Sequence, residues 1–255
     1  MRLAEHWIAT TRGGERLLSP QRAGWLWDRL RHGFPQALSL VLMPDHLHLV
    51  VAGTGALERL RRVLAGCAAQ HGVRFDIGPE DLANTREIAG RMIRYGIFNP
   101  VRAGLVDDPW AWPWSTLRDL GGAAHPVWTA APSVGAAIGL RSRSVLAMLT
   151  STADFRAASP QRTAIAAASL EALQAAVGAA LRVTAREVAS LPAGRRLVVQ
   201  ASEAFAAPGT DRLASALGCS ERTIQRDRAP RHAALDAVLL CLGDERLRRG
   251  PDSVG

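Results

Sequence analysis

The chain holds one tyrosine, Tyr95, in the run Arg94-Tyr95-Gly96-Ile97-Phe98-Asn99-Pro100, and one His-x-His, His46-Leu47-His48. A phenol can attack phosphorus and keep one product covalently, and a pair of imidazoles is half of a divalent-metal site. Together they are sufficient equipment for breaking a phosphodiester bond. Side chains alternate along a strand, so His46 and His48 share one face while Leu47 and Leu49 enter the other, where a core would lie. Oxygen ligands would fill the remaining metal positions. Tyr95 and Asn99 lie four residues apart, which sets them on one helical face about 6 Å apart along the axis. The amide of Asn99 offers a carbonyl oxygen. Pro100 disfavours helical geometry at the residue before it, so the helix is expected to end at Asn99. Plainer roles exist for each residue: core or surface histidines, and a packed tyrosine with its hydroxyl in water.

The surrounding pattern predicts the elements that must hold these groups. A β-like segment spans Glu5 to Thr10, and a helix is expected from Pro20 to Gly33, with Ser19 as its cap and Pro20 in its first turn. Strands at Leu38–Met43 and His46–Val51 are separated by Pro44-Asp45, which reads as a tight turn between antiparallel partners. A helix from Leu57 to Gln70 interleaves Leu57, Leu60, Val63 and Leu64 with Arg59, Arg61 and Arg62, so one face packs and the other meets solvent or phosphate. A strand near Val73 to Ile77 and a helix from Glu80 to Phe98 complete the order β-α-β-β-α-β-α. That order predicts an α+β domain over residues 1–120, with a ferredoxin-like antiparallel sheet backed by helices on one face.

Residues 161–249 read as all helical. Segments at Ala164–Leu181, Ala185–Ser190 and Arg195–Ala206 are separated by Val183-Thr184 and Pro192-Ala193-Gly194, which break helices for steric and entropic reasons. Residues 121–160, without clear periodicity, are expected to form a partly ordered connector. Within the helical part, Thr210 to Arg228 has the form of a helix-turn-helix: Asp211–Leu217, the turn Gly218-Cys219-Ser220, then Glu221–Arg228. Leu213, Ala214, Leu217 and Ile224 would face the core, leaving Arg222, Thr223, Gln225 and Arg226 for phosphates and base edges of duplex DNA.

Charge points the same way. Thirty-one basic residues, all arginine, oppose 23 acidic ones, giving a net charge of +8 and a pI near 11.0. Arginine binds phosphate bidentately and is always charged, which suits a polyanion, although a lysine-free chain also follows from GC-rich coding. Three isolated cysteines, Cys67, Cys219 and Cys241, have no metal-ligand spacing and fit a reducing cytoplasm. Neither a signal peptide nor a membrane span is expected, since no apolar run approaches about 18 residues.

Three ordered motifs carry a family resemblance: Met43-Pro44-Asp45-His46-Leu47-His48-Leu49-Val50-Val51, then Arg94 through Val106, then Trp112-Pro113-Trp114-Ser115. Over about residues 1–120 the chain resembles the REP-associated tyrosine transposases, the single-tyrosine branch of the HUH endonucleases. The resemblance implies a ferredoxin-like nuclease acting on single-stranded DNA, often a hairpin, with Tyr95 as nucleophile. It implies His46, His48 and Asn99 as ligands of Mg²⁺ or Mn²⁺, and a 5′-phosphotyrosine beside a free 3′-hydroxyl. Asp45 stands where Asn is usual, Gly96 where a bulkier apolar residue is usual, and Thr10-Thr11-Arg12-Gly13-Gly14 is the nearest counterpart of an N-terminal Ser-Arg-Gly-Asn stretch. Residues 165–248 resemble the DNA-binding domain of the bacterial replication initiator, without its second-helix signature.

Arg102, just past the tyrosine motif, is expected at the DNA backbone or against a carboxylate of the fold. Trp110, Trp112 and Trp114 would either stack on unpaired bases or anchor packing. The expected activity is a metal-dependent endonuclease and strand transferase. The alternatives are a domesticated, catalytically weak DNA-binding regulator and a hydrolase that uses water without a protein adduct. His6, His32, His71, His125 and His232 are scattered and are expected to be structural or exposed. Both a monomer and a homodimer fit, with the tyrosine helix serving its own domain or a partner's.

Overall fold

The computed structural model describes residues 2–78, 81–151, 160, 168–204 and 209–253. The chain divides into two compact units, one of Met1–Leu120 with Val127–Ser159, the other of Gly121–Pro126 with Pro160–Val254.

The first unit is built on an antiparallel sheet. Strands β1 (Ala4–Thr11), β2 (Ala37–Leu42), β3 (His46–Ala52) and β4 (Phe75–Ile77) run in the order β2-β3-β1-β4, and β5 (Asp81–Ala83) pairs with the start of β1. This is the ferredoxin-like order, with β4 and β5 sharing one edge of β1: Ala9–Thr11 face β4, and Ala4–His6 face β5. The central pair sets Ile8 opposite His48, Thr10 opposite His46 and His6 opposite Val50, so all six residues share one face.

Glu5, Trp7 and Ala9 therefore point the other way. There the buried carboxylate of Glu5 accepts hydrogen bonds from the N–H groups of Gly55 and Ala56 at the start of α2 (Leu57–His71), 2.6 and 2.9 Å long. An anion suits the positive end of a helix. Helix α1 (Pro20–Gly33) packs on α2; Ser19 caps it as expected, its hydroxyl accepting from the Arg22 N–H.

Helix α3 (Arg86–Arg102) lies on the histidine face, so the sheet carries helices on both faces rather than one. It also starts later than expected: of the Glu80–Phe98 stretch, Glu80 lies outside the described residues and 81–83 form β5. Its other end corrects a second expectation. Rather than stopping at Asn99, α3 runs through Pro100 to Arg102. Proline forfeits one helical hydrogen bond, but Pro100 is buried along with Ile93, Ile97 and Phe98, and that packing outweighs the local preference.

Trp110, Trp112 and Trp114 are all buried, so their rings meet protein rather than bases. The Trp112 indole donates to the Leu42 carbonyl at 2.8 Å, and the Leu42 N–H donates to the Trp114 carbonyl at 3.0 Å. The tryptophan segment thereby closes the outer edge of β2, with Ser115 bridging Val41, and leads into the short α4 (Leu117–Leu120). Part of the stretch expected as a connector is also built into this unit: α5 (Ala131–Ile138) and α6 (Ser142–Leu149) pack on each other and on α3. Residues 152–159 of that stretch lie outside the described residues.

The second unit is helical: α7 (Leu170–Leu181), α8 (Ala185–Val188), α9 (Pro192–Ser202), α10 (Thr210–Ala216), α11 (Glu221–Asp227) and α12 (Leu235–Gly243). Residues 164–167 and 205–206 of the predicted helices lie outside the described residues. Pro192, Ala193 and Gly194, expected to separate helices, instead form the first turn of α9. Proline has no N–H to waste at that position. Gly194 is required by contact, since a Cβ there would lie 2.4 Å from the Val188 carbonyl oxygen.

Candidate active site

Five elements converge on the candidate chemistry. From β3, His46 and His48 project toward α3, whose Asn99 reaches back: its amide Nδ2 lies 2.9 Å from His46 Nε2 and 2.5 Å from His48 Nε2. Gly96 permits this approach. It is buried, and a Cβ at that position would already touch His48 Cβ at 3.4 Å and Val41 at 3.8 Å, so a larger side chain would lift α3 from the sheet.

The Nε2 atoms of both imidazoles thus face one atom of the Asn99 amide. Donor atoms at adjacent corners of a small octahedral ion stand about 3 Å apart, close to the spacing here. A half-turn of the amide would offer oxygen in place of nitrogen, and the two are interchangeable in shape. These residues fit a divalent ion. Among the described residues no group of three His, Cys, Asp or Glu is placed to hold a metal, because the third donor here is an amide.

Both histidines are held from behind. Asp45, at the tight turn and exposed, brings its carboxylate to 2.6 Å from His46 Nδ1. His48 is 2% exposed, and its Nδ1 lies 3.1 Å from His6 Nε2, with the two rings stacked at 5.3 Å. His6 Nδ1 in turn faces Asp81 of β5 at 3.6 Å. Burial, reinforced by the neighbouring imidazoles of His6 and His46, pushes the pKa of His48 down to about 3. Burial likewise lowers that of His6, against the opposing pull of Asp81. Both therefore stay neutral at physiological pH, the form in which imidazole binds a metal.

Tyr95 stands one turn before Asn99 and is 45% exposed, while its ring meets His48 edge-on at 5.4 Å and His6 at 6.3 Å. Arg102 lies over the phenol, its guanidinium carbon 5.0 Å from the ring centre. That attraction accounts for the Arg102 geometry. The phenol opens on a cleft of about 530 Å³ lined by His6, Ile8, Asp81, Arg91, Met92, Arg94, Tyr95 and Arg102. Arg94 is anchored there through a hydrogen bond to the Ser151 carbonyl.

Sequence reasoning placed Tyr95, His46, His48 and Asn99 in one group, and the fold brings them together. It missed His6 and Asp81. No motif marks either one; only the register of β1 against β3 and β5 puts them behind His48.

The second unit holds the other set. Gly218 takes the left-handed conformation (φ 59°) between α10 and α11, and Leu213, Ala214, Leu217 and Ile224 are buried as expected. Ser220 caps α11 by accepting from the Thr223 N–H at 3.2 Å. Arg222, Gln225 and Arg226 are exposed, whereas Thr223 is half-buried with its hydroxyl 3.1 Å from that of Ser220. Beneath them, buried Asp227 receives Arg195 at 2.8 Å, and the Gln200 amide donates to the carbonyls of Asp227, Arg228 and Pro230. No helix among the described residues is long and apolar enough to cross a membrane.

No protein-family model and no curated relative matches the chain. Among solved structures it is similar to a REP-associated tyrosine transposase bound to a REP hairpin, at 20% identity and a TM-score of 0.41, over 51% of this chain and 87% of that one.

Proposed function

We propose that the chain is a metal-dependent endonuclease and strand transferase for single-stranded hairpin DNA that works through a phosphotyrosine, with a duplex-binding helical unit attached. The observation that carries this reading is the convergence of Asn99 with the Nε2 atoms of His46 and His48, one helical turn from an exposed Tyr95. The motif resemblance supplies the substrate class.

His46, His48 and Asn99 would hold Mg²⁺ or Mn²⁺, and two imidazoles favour Mn²⁺ as the better tolerated of the two. Once bound, the ion contributes Lewis-acid polarisation of the scissile phosphate. Tyr95 is the nucleophile. As its oxygen bonds to phosphorus, the bond from phosphorus to the 3′-oxygen breaks, and the phenolic proton ends on the departing 3′-hydroxyl. The downstream fragment stays on Tyr95 through its 5′-phosphate. One ester replaces another, so a 3′-hydroxyl attacking the phosphotyrosine rejoins the strand without an external energy source.

Arg102 places a fixed positive charge beside the attacking phenol, and Arg91 and Arg94 extend it along the cleft where backbone phosphates would lie. Arg222, Gln225 and Arg226, with Thr223 in a lesser role, would meet duplex DNA from α11.

The test uses hairpin DNA labelled at either end, Mn²⁺, and wild-type protein beside Tyr95→Phe. Wild type should give a denaturation-resistant adduct carrying the downstream fragment, and Tyr95→Phe should bind DNA and give none. An adduct in the phenylalanine variant, or cleavage without any adduct, removes Tyr95 from its role. DNA binding with no cleavage by wild type in any divalent metal would favour the regulator.

A further inference from the structure

Every polar contact around the histidine cluster has a direction that hydrogen-bond chemistry fixes. An ionised carboxylate only accepts, so in the neutral form of the His46 ring the contact of Asp45 with Nδ1 at 2.6 Å puts the single proton on Nδ1 and leaves Nε2 as a bare lone pair. Asn99 must then present its NH₂ to that lone pair. The same nitrogen touches His48 Nε2, so His48 also keeps a lone pair there and carries its proton on Nδ1. That N–H donates to His6 Nε2 at 3.1 Å, leaving the proton of His6 on Nδ1, which faces the Asp81 carboxylate at 3.6 Å.

We infer that His6 is a positioning residue: by accepting from His48 Nδ1 it locks His48 in the tautomer whose Nε2 lone pair points at Asn99, as Asp45 does for His46. The chain of donors runs outward from Asn99 to a carboxylate at each end. Both imidazoles aim their basic nitrogen at the same point before any ligand arrives. The register explains why His6 can do this, since it lies on β1 diagonally across from His48 and directly across from Asp81. The value of such a lock to a cation rests on the reading of His46 and His48 as ligands, but the tautomers follow from the contacts of the neutral rings.

The direct measurement is two-bond ¹H–¹⁵N correlation on the ¹⁵N-labelled full chain without metal at about pH 8, assigned with His6→Gln and His6→Leu. His6, His46 and His48 should all carry the proton on Nδ1. In His6→Leu, where the acceptor is gone, the His48 pattern should shift away from that tautomer. Mn²⁺ affinity, followed by the electron paramagnetic signal of the free ion, should fall on the order of 10- to 100-fold. His6→Gln, whose amide oxygen can accept in place of Nε2, should keep both. A proton on Nε2 of His48 in wild type overturns the inference, as does a His6→Leu protein that folds with His48 tautomer and Mn²⁺ affinity unchanged. The tautomers standing while wild type forms no DNA adduct would instead fault the proposed reaction and leave the role of His6 intact.

Discussion

The two sets of polar side chains in this chain are held in opposite ways. In the sheet unit, His46, His48, Asn99, His6 and Asp45 bond to one another, and His48 is almost wholly buried. In the helical unit, Arg222 and Gln225 end in solvent, and the order lies one layer beneath them, where Gln200 and Asp227 tie the end of α11 to α9. Chemistry on a phosphate needs atoms fixed to within fractions of an ångström, because misplacement is costly. A surface that follows a duplex needs a rigid helix carrying side chains that can adjust to phosphates and base edges.

The largest effect should come from removing the atom on which the fixed set converges. Asn99→Leu keeps the branched outline of the side chain in a residue that favours helix more, and deletes the amide. Mn²⁺ affinity should drop by at least about 100-fold and the Tyr95 adduct should vanish, while the fold loses about 1–3 kcal/mol because the buried His48 Nε2 loses its Asn99 contact. Titration calorimetry and the adduct gel check this together. A Leu variant with normal Mn²⁺ binding would show that the two histidines hold the ion without Asn99.

An intermediate effect should come from the layer beneath α11. Gln200 is buried, donates to three carbonyls and accepts from the His232 N–H at 2.8 Å. Gln200→Leu strands those groups and should cost the helical unit about 2–3 kcal/mol, read from denaturant unfolding of that unit. Adduct formation on single-stranded DNA should be unchanged. Loss of the adduct in this variant would mean that the two units do not work independently.

The same contrast explains what could be read in advance. Tyr95, His46, His48 and Asn99 were legible because strand alternation and helical spacing are local rules, and so were α10, the Gly218 turn and α11, where an apolar set at helical spacing does the placing. His6 and Asp81 were not, because they join the site through strand register, which brings together residues 42 positions apart for His6 and His48 and 75 apart for His6 and Asp81. The end of α3 was misjudged because a local rule about Pro100 lost to burial of its ring. Pro192 was misjudged because the same residue that breaks a helix interior is favoured in a first turn. The two helices in the expected connector follow from contacts with α3 that no periodicity in their own short spans reveals.

The smallest effect should come from the adjustable set itself. Arg222 is exposed, and Arg226 reaches the edge of Asp227, at 3.6 Å, whose carboxylate is already held by Arg195 at 2.8 Å. Replacing either by alanine strands nothing, so stability should move by less than about 0.5 kcal/mol. If these arginines meet phosphates, duplex affinity should weaken alike on every sequence, and the slope of log affinity against log salt should shrink by about 0.9 for each arginine removed. Arg222→Ala should show the full decrement and Arg226→Ala somewhat less, since Arg226 must share its charge with Asp227. A loss confined to particular sequences, with the salt slope intact, would instead make them readers of base edges; no loss on any duplex would take α11 out of DNA binding.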